Sequence, residues 1–386
     1  MKRALSGLAP PTRRDGDEAL SALLFEALAR ASREEADTLT HGFHAWPARM
    51  HPAIAATVID GARVSGATVL DPFCGGGTVL VEARVRGRPA VGIDLNPLAL
   101  RVAEVKVDVR DAPARARFLE QAHAVAQASR ERVKGRVKVR APLSPRQASH
   151  WQPHVLLELG GLREEIASVI DQRDRRALEV VLSSILVKVS RARSDTDARD
   201  HEKRIGRYLS TELFLRKAQE LEERWAALAA ACAAPPAPVA LHQRDARTLG
   251  DVVRPGSVAL VLTSPPYGGT YDYAAHHAMR MPWLGLDDRA LRQGELGARR
   301  SATTASWDVD VAAVLSALGR ALAPGGLLVL VIGDAEPGGT RVPADAQVTR
   351  LASRAGLRMV ASAAAPRPDR RGGDAREEHL LALTPV

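Results

Sequence analysis

Cysteine is almost missing from this 386-residue chain: Cys74 and Cys232 are the only two. Two isolated thiols build neither a disulfide framework nor a four-ligand zinc set. Aromatic residues make up only 4% of the chain, so each one inside a motif carries weight. No apolar stretch reaches the length that crosses a bilayer, and Met1-Lys2-Arg3-Ala4-Leu5-Ser6 lacks a signal-peptide core; both point to the cytoplasm. His41, His44 and His51 lie close together without a Cys, Asp or Glu among them, so no metal is expected. Positive charge, by contrast, is in excess. The net +9 and pI of about 10.0 suit a polyanionic partner.

What is present has an α/β rhythm. Ala67 to Leu70 reads as a short strand, Asp71-Pro72-Phe73-Cys74-Gly75-Gly76-Gly77-Thr78 as a glycine-rich turn, and Val79 to Val85 as the start of a helix. A glycine motif between strand and helix lets backbone approach a ligand, while the helix N-terminus adds free N–H donors. A second strand, Ala90 to Ile93, ends in Asp94, about 20 residues past the turn, where an acidic side chain reaches a ribose diol. The turn is not G-x-G-x-x-G and no P-loop lysine follows, so nothing is built for a pyrophosphate. S-adenosylmethionine, a nucleoside cofactor without phosphate, fits better.

The second centre is residues 259–273. The apolar run Val258 to Leu262 stops at Thr263-Ser264-Pro265-Pro266-Tyr267. Two prolines remove two N–H donors and fix the backbone, leaving carbonyl acceptors beside an aromatic face. Such a platform suits a flat ring bearing an exocyclic amine.

Around these motifs the chain divides into four parts. Residues 1–40 read as a tail, flexible through 17, and an amphipathic helix over 18–36; 41–106 carry the cofactor motifs. Residues 107–237 interrupt the α/β alternation with helices, residues 105–235 hold +7 of the net charge, and 238–386 resume the strands. Within the insertion, Arg132, Lys134, Arg136, Lys138 and Arg140 alternate with valines, a period-two pattern that predicts one basic strand face contacting phosphates. The alternative is a charged, solvated edge. Ser190 to Thr196 is a second basic loop. Residues 274–306 form a long connection of the kind that flanks a functional site.

Together these motifs resemble the amino-methyltransferases of DNA, and Ser264-Pro-Pro-Tyr267 is most similar to the site-specific cytosine-N4 type. His44-Ala-Trp-Pro-Ala-Arg49 resembles the upstream cofactor segment of that group. Gly76 stands where Ser is commoner, and Trp46 where Tyr is. The resemblance implies a Rossmann-like class I S-adenosylmethionine-dependent methyltransferase fold with a seven-stranded sheet. It implies cofactor contacts from Asp71, Phe73, Gly75, Gly77, Thr78, Asp94, Leu95 and Thr263. It also places Asp245 near the adenine, although Asp245 can equally cap the turn that follows it. Ser264, Pro265, Pro266 and Tyr267 would form the catalytic motif, with Ser264 and the Pro265 carbonyl accepting from the amine and Tyr267 stacking on an extruded base. DNA is the implied partner, with the helical insertion as its recognition region and a cognate restriction enzyme as a possible companion.

Rival readings remain. Adenine-N6 methylation normally carries Asp or Asn before Pro-Pro-Tyr, and tRNA guanine-N2 enzymes carry Asp there plus an N-terminal RNA-binding module. An idle nucleic-acid-binding module is the non-enzymatic alternative. C5-cytosine chemistry needs an activated cysteine, and neither thiol sits in a suitable loop.

Overall fold

A computed structural model describes residues 8–64, 66, 68–139, 141–194, 197–200, 203–269, 272–298, 303–367 and 376–386. The strands in chain order are β1 (Arg13–Gly16), β2 (Val69–Asp71), β3 (Ala90–Asp94), β4 (Ala192–Ser194), β5 (Asp197–Asp200), β6 (Val239–Gln243), β7 (Val258–Thr263), β8 (Leu322–Gly333), β9 (Leu357–Arg367) and β10 (Arg376–Pro385). Eight of them form one sheet in the order β1-β9-β10-β8-β7-β2-β3-β6, and β4 and β5 pair separately. Strands β6, β3, β2, β7 and β8 are mutually parallel, while β10 runs antiparallel between β8 and β9. This is the expected Rossmann-like class I S-adenosylmethionine-dependent methyltransferase fold, with one strand more than the sequence suggested. β7 lies between β8 and β2, and all six of its residues are buried. That accounts for its unbroken apolar run.

The extra strand corrects the reading of residues 1–17 as a flexible tail. β1 pairs antiparallel with Ala361–Ala364 of β9, and the Arg13 guanidinium holds Asp345 and Glu377 at 3.0 and 2.7 Å. β1 covers backbone groups that would otherwise form an open sheet edge. Four polar, exposed residues show no periodicity, which is why the strand could not be read in advance.

Helices α1 (Glu18–Arg33), α2 (Pro52–Gly61) and α3 (Thr78–Val85) share one core with the sheet, and α4 (Pro97–Lys106) follows β3. The insertion contributes α5 (Ala112–Lys134), α6 (Pro145–Ala148), α7 (Pro153–Ala167), α8 (Gln172–Ile185) and α9 (Leu209–Ala231). Their core, built on Phe118, Trp151, Leu178, Phe214 and Trp225, also takes Leu98 and Val102 of α4, so the helical block is fused to the cofactor half. The long connection after the Pro-Pro motif folds into α10 (Tyr273–His277), α11 (Met281–Leu284) and α12 (Arg289–Gly294), and Trp283 joins the same core. Helices α13 (Thr304–Ala321) and α14 (Ala344–Ala352) pack with a third cluster. No helix among the described residues is long and apolar enough to cross a membrane.

The basic ribbon is not a strand. Phe118, Ala122, Val125, Ala126 and Ser129 bury one face of α5 at helical spacing, and this longer pattern carries the helix through Arg132 to Lys134. Gly135 caps it and Arg136 turns to φ +53°. Arg132 is paired with Glu164 and Glu165, and Lys134 with Glu131. Arg136 and Lys138 are exposed, and Arg140 lies outside the described residues.

Candidate active site

Parallel sheets present ligand sites at the carboxyl ends of their strands, where the loops diverge. Here the ends of β2, β3, β6 and β7 surround a cavity enclosing about 870 Å³, its open mouth included. Its walls come from the upstream segment Trp46 to Met50, the glycine turn, the Asp94-Leu95-Asn96 corner, Arg244 to Ala246, Ser264 with Pro266, and Tyr273 with the Leu291 to Leu296 stretch. Two motifs separated by the whole insertion thus share one space.

The glycine turn is fitted closely to its neighbours. Gly75 has φ +47°, and a Cβ there would lie 2.9 Å from the Trp46 indole nitrogen. Gly77 has φ +82° and a Cβ would meet Ala103 of α4 at 3.0 Å, so its role is helix approach, and it does not line the cavity. Gly76 has a different explanation. The Nζ of Lys106 lies 3.2 Å from where its Cβ would be, and donates to the His41 carbonyl at 3.0 Å. A serine at this position would crowd a buried lysine, whose pKa desolvation pushes well below its ordinary value.

Three carboxylates brace the cavity. Asp71 accepts from the Phe73 amide at 3.1 Å and from the Thr263 hydroxyl at 2.7 Å, joining the glycine turn to the end of β7. Burial raises its pKa to about 7. Asp94 accepts from the amides of Gly75 and Asn96 at 2.9 and 2.8 Å, which fixes the corner, and burial raises its pKa to about 6. Asp245 caps the short helical turn that follows it, accepts from the Arg247 amide at 2.9 Å and pairs with the Arg247 guanidinium at 2.6 Å. Asp245 thus caps its turn and also lines the cavity. Phe73, Thr78 and Leu95 line it as well, whereas Thr263 is wholly buried behind it.

The Ser-Pro-Pro-Tyr loop divides in two. Ser264 and Pro266 reach the cavity, and Pro265 joins Pro266 against a smaller apolar hollow beside Trp307. Tyr267 turns the other way: it is 4% exposed, its phenol donates to Glu378, and the Arg367 guanidinium lies over its ring at 5.4 Å. The sequence led us to expect its face toward a base; in this structure it anchors the loop to the sheet.

Several residues here were not singled out in advance. Asn96 caps α4 and holds His277 at 2.9 Å, and His277 in turn stacks on Trp46 with ring centroids 4.4 Å apart. Burial lowers the His277 pKa to about 3, so it is neutral. Asn96 was visible in the Asp-Leu-Asn-Pro corner; Glu295, which accepts from the Tyr273 and Ala274 amides, carried no signal. The three upstream histidines are structural: His41 meets Glu82, His44 meets Ser183, and His51 caps α2. Among the described residues no cluster could hold a metal ion.

Residues 13–105 match the family model described as DNA methylase, of the N6/N4 methyltransferase type. Over that segment the chain is similar to the N6/N4 DNA methylase family. The N6/N4 segment contains the upstream motif, the glycine turn and Asp94, and the family implies S-adenosyl-L-methionine as cofactor. Type II methyltransferase M.MjaII of Methanocaldococcus jannaschii is 31% identical over 80 residues, 21% of this chain and 15% of that protein. Type II methyltransferase M.MvaI of Kocuria varians is 37% identical over 71 residues, 18% and 16% of the two chains. The alignments thus span about a sixth of the length of these relatives. Among solved structures, the rRNA methyltransferase aviRa of Streptomyces viridochromogenes overlaps 87% of this chain and 86% of its own at 15% identity and a TM-score of 0.35. The strand order, and not that overlap, carries the fold.

The cavity fits the implied cofactor. Gly75 and Gly76 line the cavity without side chains, and the cavity-lining Arg49 keeps a buried Nε with no hydrogen-bond partner. A donor of that kind beside a glycine turn suits a carboxylate-bearing ligand.

Proposed function

We propose that this chain transfers a methyl group from S-adenosyl-L-methionine to the exocyclic amine of a DNA base, cytosine N4, within a specific sequence. The observation that carries the proposal is the Thr263–Asp71 hydrogen bond, which sets the Ser-Pro-Pro-Tyr loop against the N6/N4 family's cofactor turn. When bound, the cofactor supplies an electrophilic methyl group. An aromatic amine is a weak nucleophile because its lone pair is delocalised into the ring. Ser264 and the Pro265 carbonyl, as acceptors for the amino hydrogens, would turn that lone pair out of the ring plane. The prolines serve by leaving those acceptors without competing donors and by holding them near the attack line. Asp94 and the Gly75 backbone would hold the ribose end of the cofactor, and Arg49 the carboxylate end.

Ser264, in place of Asp or Asn, favours cytosine over adenine. Genomic DNA and total RNA offered in parallel with labelled S-adenosylmethionine, then digested to nucleosides and identified by mass, test the reading. N4-methylcytosine in DNA is the expected product. N6-methyladenine would overturn the base, label in RNA would overturn the substrate, and no label in either would overturn the enzymatic reading.

A further inference from the structure

The Ser-Pro-Pro-Tyr loop has little backbone bonding of its own, because its two prolines donate nothing. Two side-chain contacts hold it instead. At its start the Thr263 hydroxyl donates to buried Asp71; at its end the Tyr267 phenol donates to Glu378, whose residue is 0% exposed. Both fastenings have the same form, a hydroxyl on a buried carboxylate.

The second fastening is prepared by the sheet. Glu378 on β10 lies opposite Gly333 on β8, at the end of that strand. A Cβ on Gly333 would come within 2.9 Å of the Tyr267 ring and 3.1 Å of the Glu378 carboxylate. The missing side chain at 333 therefore makes room for the ring to lie across the strand end and reach the carboxylate. Arg367, at the end of β9, approaches the other carboxylate oxygen at 3.5 Å and lies over the tyrosine ring. Burial raises the Glu378 pKa, opposed by the Arg367 charge and by the phenol's hydrogen bond. The chain beyond the tyrosine is tied down too: Glu336 donates its amide to the Gly268 carbonyl at 3.1 Å, and Gly269 donates to Gly297 at 3.0 Å.

We propose that Glu378 is a positioning residue for methyl transfer, acting through Tyr267 to hold the Ser264 and Pro265 acceptors at the cavity wall. This rests on the functional reading above. Glu378 itself does not line the cavity; it sets the far end of a loop whose near end is set by Asp71. With either end released, the prolines still stiffen the loop but no longer place it against the turn.

The test uses the full chain with Glu378→Ala, Glu378→Gln, Tyr267→Phe and the double variant Tyr267→Phe/Glu378→Ala. Steady-state transfer to DNA, direct binding of S-adenosylmethionine and hydrogen exchange over residues 264–269 are measured for each. Glu378→Ala and Tyr267→Phe are each expected to lower kcat by about tenfold or more, the effect of losing one hydrogen bond to a charged group. Cofactor affinity should stay within about twofold, since the turn is untouched. The double variant should be no slower than the slower single variant, because both remove the phenol–carboxylate contact. Loop amides should exchange faster in each, with α13 unchanged. Glu378→Gln, whose amide oxygen still accepts from the phenol, should recover most of the loss.

Multiplying losses in the double variant, or cofactor affinity falling as far as kcat, would overturn the proposal. If Glu378→Ala does not fold, Tyr267→Phe carries the same test. A wild-type chain that transfers no methyl group overturns the functional reading, whereas loop exchange indifferent to both Tyr267→Phe and Glu378→Ala overturns the positioning role.

Discussion

The glycine turn and the Ser-Pro-Pro-Tyr loop lie on the same cavity, yet they are held by opposite means. The turn is rich in backbone donors, and carboxylates fix it: Asp94 accepts from Gly75 and Asn96, Asp71 from Phe73. The loop has acceptors and few donors, and hydroxyls fix it through Thr263 and Tyr267. Asp71 serves both. Each surface is braced by the bonding capacity that its own backbone lacks, which leaves the remaining groups free for a ligand. A donor surface suits the oxygen-rich ends of a cofactor, and an acceptor surface suits an amine.

The comparison predicts that damage to the two surfaces separates kinetically. The largest effect belongs to the loop: Ser264→Ala with Tyr267→Ala should lower kcat by about a hundredfold or more, with cofactor affinity changing less than about threefold. Equal losses in both would mean that the loop only supports the turn. Next comes Gly75→Ala, which forces a side chain into the left-handed region and against Trp46. It should weaken S-adenosylmethionine binding by about tenfold or more, from strain of about 1–2 kcal/mol plus the clash, as read by calorimetry. Asp94→Ala should weaken the same binding by about tenfold while the circular dichroism spectrum is retained, because two amides lose their acceptor but the core is intact. Unchanged affinity would remove the ribose assignment.

Proton linkage sharpens the contrast more gently. The Asp71 pKa rises from 3.8 to about 7 and that of Asp94 from 3.8 to about 6 on folding. Groups raised in this way stabilise the fold below pH 3.8, and that contribution is lost as pH rises to about 7. Relative to the wild-type chain, Asp71→Asn should therefore gain stability as the pH is raised from 5 to 8, read from denaturant midpoints. Smallest is the effect of Arg132→Ala. This arginine is already paired with Glu164 and Glu165, so the salt dependence of DNA binding should not change. Arg136→Ala with Lys138→Ala, both exposed, should reduce that slope by about 1–2 if the insertion contacts phosphates.

What could be read from the sequence followed the range of the interactions. The glycine turn and Asp94 are local: strand, turn, helix and strand end follow one another within 24 residues, Asp71 to Asp94. Three helices of the insertion showed their apolar spacing, whereas the 23-residue helix α5 was not read and overrode the start of the alternation at Arg132. Tyr267 was ambiguous for a different reason. The same five residues allow the ring to face a ligand or the sheet, and Gly333 and Glu378 decide which. Neither of those residues belongs to a recognisable motif. Glu378 sits in Arg376-Glu377-Glu378-His379, which reads as an ordinary polar strand start. Partners brought together by sheet register leave no trace in the spacing of a single segment.

The Thr263–Asp71 bond closes a gap of 192 positions, filled largely by the helical insertion. The entropy of closing a loop grows only with the logarithm of its length, about 0.6 kcal/mol for each doubling, and less when the intervening chain folds on itself. The two surfaces can therefore tolerate insertions of very different size between them while still meeting in register. A site stitched across such a gap lets the inserted segment change freely while the two surfaces stay where they are.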